Sequence, residues 1–172
     1  DRIVEVMEKS REFRDLKAVL SVVAERLREI PLVRRPEETP LVLITGEIYV
    51  RHDNLSRQFL VERLAEHGFA AKVSSILEWV YYTDWCYKKG LSAERPGLKG
   101  KARLFLRHTW MRGYERTLKK IMSRSGLIPY RVEDMEEVIA RASCFIGPDL
   151  TGEAVLTVGA SLSEVLKHYC GV

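Results

Sequence analysis

The chain has 172 residues, 46% hydrophobic and 30% charged, with a formal net charge of +4. That is enough for one domain with a proper core, and no apolar run approaches the roughly 18 residues of a membrane span. No signal or transit peptide is visible, so neither secretion nor a membrane partner is expected. The charge is unevenly spread: residues 88–124 hold 12 Lys and Arg against Glu94 and Glu115, and the rest carries a net −6. The basic character therefore belongs to one element.

Residues 1–30 have apolar side chains at helical spacing and no Gly or Pro, which predicts a helical segment. "PLVRRPEETP" (31–40) holds three prolines and reads as an ordered linker. "LVLIT" (41–45) is a short apolar run, the pattern of a strand covered on both faces in a parallel sheet. Gly46 follows, and Glu47, Tyr49, Arg51 and Asp53 decorate a loop at the strand end. In an open α/β sheet that is where ligands bind. The plainer alternative is an internally satisfied loop, with Arg51 paired to Glu47 or Asp53.

A helix is expected over 54–68, with Asn54 as N-cap, Phe59, Leu60, Leu64 and Ala65 as the buried stripe, and Gly68 as the stop. A second strand over 69–76 completes a β-α-β unit with a right-handed crossover. The aromatic-rich 77–90 reads as a helix and 91–100 as a loop. Residues 101–126 form a long basic helix whose inner face is Leu104, Met111, Tyr114, Leu118 and Ile121. Its other residues include Arg103, Arg107, Arg112, Arg116, Lys119, Lys120 and Arg124, with Trp110 among them. They could meet phosphates and stack on bases, or simply form a solvated face. No RRM, KH or zinc-finger signature supports nucleic acid. A short acidic helix is expected over 133–143. A last helix starts at Thr151 as N-cap and ends near Tyr169, and Gly171–Val172 would open another strand. Thr151 and Gly152 would offer free N–H groups to an anion, although Glu153 in the first turn could satisfy that helix end by itself.

Several chemistries are excluded. GEIYVR lacks the GxxxxGK[ST] of a P-loop, and there is no GxSxG and no HExxH. Cys86, Cys144 and Cys170 are far apart and odd in number, which argues against a disulfide framework and for a reducing compartment, the cytoplasm. The plain reading of all three is small buried apolar residues. Four histidines show no zinc spacing.

Two stretches, "VLITGEIYVRHDNLSRQFLVERLAEHG" (42–68) and "GPDLTGEAVLTVGASLSEVLKHYCGV" (147–172), resemble the 2-hydroxyacyl-CoA dehydratase and benzoyl-CoA reductase family. The likeness is to its CoA-substrate-specific enzyme activase-related and 2-hydroxyglutaryl-CoA dehydratase component D-like members. It spans about residues 38–172. It implies Rossmann-like α/β domains in oxygen-sensitive proteins of anaerobes. A [4Fe-4S] or double-cubane cluster would be held through cysteines, and an ATP-hydrolysing activase, as module or subunit, would deliver a low-potential electron. The substrate implied is an acyl-CoA, dehydrated or reduced by radical chemistry, and a homodimer is compatible with this reading. Gly46, Glu47, Tyr49 and Arg51 match the family's GEIYVR loop. Thr151, Gly152, Glu153 and Ala154 match its helix start, and Cys170 the position before the GV strand. The chain departs at "HDN", where a proline is expected after the aspartate. It also ends before the glycine- and cysteine-containing loop that would supply a cluster ligand.

The fold expected is therefore α/β, Rossmann- or flavodoxin-like, helix-rich, and an incomplete piece of a larger domain. Its organisation would be a helical segment and linker over 1–37, then an α/β domain over 38–172 with a basic-helix insertion at 101–126. The candidate ligand- or anion-binding residues are Gly46, Glu47, Tyr49, Arg51, Asn54, Thr151, Gly152 and Glu153; the candidate metal ligands are Cys170 and Cys144. Three cysteines are one short of the four thiolates of a cubane, so a full site needs another ligand or another chain. The expected role is a scaffold or substrate- and cluster-proximal domain, inactive alone. The alternative is a basic-helix module binding nucleic acid or an acidic protein.

Overall fold

A computed structural model describes residues 12–92, 97–150, 152–165 and 169–172, the side chains of 164 and 165 excepted. The elements in chain order are α1 (Phe13–Arg28), β1 (Leu41–Ile44), α2 (Ile48–His52), α3 (Leu60–Glu66), β2 (Ala70–Val73), α4 (Ile76–Lys89), α5 (Leu98–Met122), α6 (Met135–Ala142) and α7 (Glu153–Val165). Single 3-10 turns lie at Pro36–Glu38, Ser123–Ser125 and Pro148–Leu150. The protein is thus helix-rich and mixed α/β. Among the described residues no helix is long and apolar enough to cross a membrane.

The chain divides into two units: Asp1–Pro36 with Thr109–Val132, and Glu37–His108 with Glu133–Val172. In the first, α1 buries Ala24 completely, and Ile121 and Ser125 are buried on the α5 side. The Phe13 ring meets Tyr114 edge-on at 4.2 Å between centroids, although Tyr114 stays 42% exposed. Glu115, only 4% exposed, is held by Arg112 at 3.2 Å and Lys119 at 2.8 Å from the neighbouring turns. A buried carboxylate needs such partners, because burial without them costs far more than their attraction returns in water.

In the second unit, β1 and β2 pair in parallel, Leu41 opposite Ala70 through Ile44 opposite Val73. A parallel bridge joins Val42 to Gly171 on the other side of β1. Leu43 N–H donates to the Gly171 carbonyl (3.0 Å), and Cys170 N–H to that of Leu41 (2.9 Å). β1 is therefore central, which is why its apolar run is continuous: Leu43 and Ile44 are buried. Leu43 packs with Ala160 and Tyr169, and Leu41 lies against them. Helices α6 and α7 bury Met135, Val138, Ile139 and Ala142 together with Val155, Leu156 and Ala160.

The structure revises several expectations. The segment 46–53 is not all loop, since Ile48–His52 is a helical turn. The helix expected from Asn54 begins only at Leu60, because Gln58 (φ 53°) and Phe59 (φ 54°) are both left-handed and end any right-handed run. Asn54 is therefore no N-cap. Its side-chain oxygen accepts from Arg57, while Asp53 Oδ2 takes Ser56 N–H at 2.7 Å. No residue of α3 is buried, and Phe59 and Leu60 are 50% and 41% exposed, so the expected apolar stripe does not form. Gly68, at φ 80°, does stop the helix. Strand β2 ends at Val73, because Ser75 caps α4. The basic helix runs from Leu98 to Met122 rather than from 101 to 126. The last helix is described to Val165, and Tyr169 lies in non-helical chain. Thr151 and residues 1–11 lie outside the described residues.

Candidate functional site at the strand ends

The polar residues after β1 meet those after β2. Gly46 turns the chain with φ 119°, a conformation strained for any residue with a Cβ. Glu47 caps α2, its Oε2 taking Val50 N–H at 2.8 Å. The next free amide of that helix, Ile48 N–H, is taken by Glu153 Oε2 at 2.8 Å, from 105 residues away. Glu153 opens α7, so one carboxylate sits at the start of its own helix and satisfies an end group of another.

Arg51 is 2% exposed. Its Nη1 donates to the Gly46 carbonyl at 2.6 Å and its Nη2 to the Ser75 carbonyl at 3.3 Å. It pairs with neither Glu47 nor Asp53; instead it ties together the segments that leave β1 and β2. Arg51's own carbonyl accepts from Arg57 at 3.2 Å. Arg51 Nε, Thr45 Oγ1 and Ser74 Oγ are buried and make no hydrogen bond among the described residues.

Ser75 and Glu78 form a capping box at the start of α4: Leu77 N–H donates to Ser75 Oγ (3.2 Å), and Ser75 N–H to Glu78 Oε1 (3.2 Å). Its S-x-x-E spacing before an apolar run was available in the sequence. Burial, reinforced by nearby Glu133, pushes the Glu78 carboxyl above the usual range; the Ser75 amide, Lys72 and Arg51 pull the other way. The folded state therefore holds this proton more tightly than the unfolded chain. Its favourable contribution is present at low pH and is lost as pH rises through the folded value. Glu78→Gln keeps a capping oxygen and removes the buried charge. Thermal melts between about pH 4 and 8 should show no gap at the acid end and a more stable variant at the neutral end. A gap independent of pH would contradict the assignment.

The set read from sequence thus assembles in part. Arg51 bonds the Gly46 carbonyl, Glu47 caps the same turn, and Glu153 reaches that turn at the Ile48 amide. Tyr49 is 68% exposed, and Gly152 (φ 114°) precedes α7. Asn54 belongs to the Asp53–Arg57 turn. The cysteines do not converge. Cys86 is buried and its thiol is pushed up by desolvation, beside Tyr82, whose phenol is pushed up to about 12 by burial. Cys86 is therefore a poor source of thiolate. Cys144 is exposed after α6, and the exposed Cys170 donates its thiol to the Leu41 carbonyl at 3.2 Å. Among the described residues no three His, Cys, Asp or Glu gather to hold a metal ion. The side chains described do not by themselves fit an iron–sulfur cluster.

On the basic helix, Arg107 pairs with Asp84, and Arg112 and Lys119 with Glu115, while Trp110 is 68% exposed. Comparison with family models, with curated proteins and with solved structures gives no match for the chain.

Proposed function

We propose that the chain is a scaffold domain of an iron–sulfur, ATP-activated 2-hydroxyacyl-CoA dehydratase- or reductase-like protein, of Rossmann- or flavodoxin-like fold. The observation that carries the reading is the bond from Ile48 N–H to Glu153. It joins the two sequence stretches that resemble the family, which are otherwise far apart in the chain. A central β1 flanked by β2 and the Gly171 bridge supports the same reading, since it is a parallel arrangement with its polar loops at one end. Within this proposal the domain's own chemistry is positional. Glu47 and Glu153 fix the turn after β1, and Arg51 fixes the turn after β2 against it. A cluster would supply one-electron chemistry, but the three cysteines of this sequence do not gather into a site for it, so its thiolates would have to come mainly from another chain, with the exposed Cys170 and Cys144 the ones available here.

The test is iron and acid-labile sulfide per chain. The protein is reconstituted anaerobically alone, and also after anaerobic co-expression with an ATP-hydrolysing activase and a cysteine-bearing subunit of the kind the resemblance implies. The expected result is a folded chain with substoichiometric iron alone, and near four irons per complex once its partners are present. A complex free of labile sulfide would overturn the proposal, and a full cluster on the chain alone would overturn the scaffold role.

A further inference from the structure

A second polar site lies between α4 and the first turns of α5, away from the strand ends. It is a cleft of about 540 Å³, lined by Thr83, Asp84, Tyr87, Ser92, Arg103 and Arg107 among others. That volume suits a small ligand. Asp84 is 5% exposed, and its Oδ1 is engaged by the Arg107 guanidinium. Its Oδ2 is buried and has no hydrogen-bond partner among the described residues. A buried carboxylate oxygen without a donor is costly, and a wall of the cleft is where a ligand could supply one. Arg103 makes no ion pair among the described residues, and Arg107 remains 56% exposed while it holds Asp84. Among the described residues, the charged lining side chains Asp84, Arg103 and Arg107 therefore sum to one excess positive charge, beside one acceptor that lacks a donor.

We propose that this cleft binds a small organic anion that carries hydroxyl groups. The phosphate or carboxylate end meets Arg103 and Arg107, whose planar forks suit either group. A ligand hydroxyl donates to Asp84 Oδ2. Tyr87, Ser92 and Thr83 offer further hydroxyls along the walls. Neither inorganic phosphate nor an uncharged polyol meets both requirements, so selectivity for the combination is the signature. This site stands independently of the family proposal, since it uses no cysteine and no strand-end residue.

The probe is glycerol 3-phosphate, compared with inorganic phosphate and with glycerol, followed by amide shifts in two-dimensional NMR of the full chain. Saturable shifts at Thr83, Tyr87, Ser92 and Gly100 are expected, with glycerol 3-phosphate bound at least fivefold tighter than either part. Arg103→Gln changes an exposed side chain and should weaken that binding fivefold or more. Asp84→Asn keeps an oxygen for Arg107 and should remove the preference over phosphate. Equal binding of glycerol 3-phosphate and phosphate, shifts elsewhere only, or an Arg103→Gln chain that binds unchanged would each overturn the proposal. Should Asp84→Asn fail to fold, the Arg103→Gln comparison decides alone.

Discussion

Replacing Arg51 with methionine should destabilise the protein by about 3 kcal/mol, because two backbone carbonyls lose charge-assisted donors in a site that admits little water. The Gly46 and Ser75 carbonyls are those acceptors, and the side chain that serves them is 2% exposed. Methionine fills much of the space but offers neither carbonyl a proton. Lysine keeps the charge without the planar fork, so Arg51→Lys should fall between the two. The same cation lowers the cost of the buried Glu78 carboxylate, so its loss should raise the Glu78 carboxyl further. Adding Glu78→Gln to Arg51→Met should then recover part of the stability, a non-additivity that a double-mutant cycle in urea measures directly. Strict additivity, or an Arg51→Met protein as stable as the parent, would contradict the strut. A purely ligand-binding arginine predicts the opposite pattern, with stability retained and binding lost.

What the sequence reveals about this site follows from the range of each interaction. The apolar run at 41–45 maps onto β1 at Leu41–Ile44 because a central parallel strand buries both faces, a local compositional signal. Gly68 and Gly171 were legible for similar local reasons: a left-handed stop, and a short chain returning to the sheet. The left-handed pair Gln58–Phe59 was not. Neither residue favours that conformation, and what surrounds it is a set of contacts, Asp53 to Ser56 and Arg57 to Asn54 and to the Arg51 carbonyl. The polar richness of GEIYVR was visible, but its partners were not. Arg51 reaches Ser75 on the other strand's loop, and Ile48 is satisfied from Glu153 across 105 residues of sequence. Charge spacing along the chain favoured Glu47 or Asp53 as the partner of Arg51, and a fold-level contact replaced both. The capping box at Ser75–Glu78 was within reach, since its spacing is the signal.

Gly159, in the TGEAVLTVG stretch, should resist even the smallest enlargement. A Cβ there would lie 2.8 Å from Val138 Cγ1 and closer still to the Val138 carbonyl oxygen, so α7 and α6 meet almost backbone to side chain. Overpacking of this kind typically costs about 1–3 kcal/mol. Helix propensity pulls the other way, since alanine in a helix interior is favoured over glycine by about 1 kcal/mol. Contact with a backbone carbonyl cannot be relieved by a rotamer change, so the clash should win and Gly159→Ala should lose net stability. Gly113 in α5 is the control, because no described residue lies within 4 Å of a Cβ built there and its backbone is helical. Gly113→Ala should therefore gain about 0.5–1 kcal/mol from propensity alone. Two identical substitutions in two helices are thus expected to move the urea midpoint in opposite directions. A gain at both sites would mean that α6 and α7 are not in the close packing described, and that Gly159 is dispensable for the fold. A loss at Gly159 alone would identify the last glycine of that stretch as a packing residue, leaving Glu153 as the residue of the motif that reaches the strand-end site.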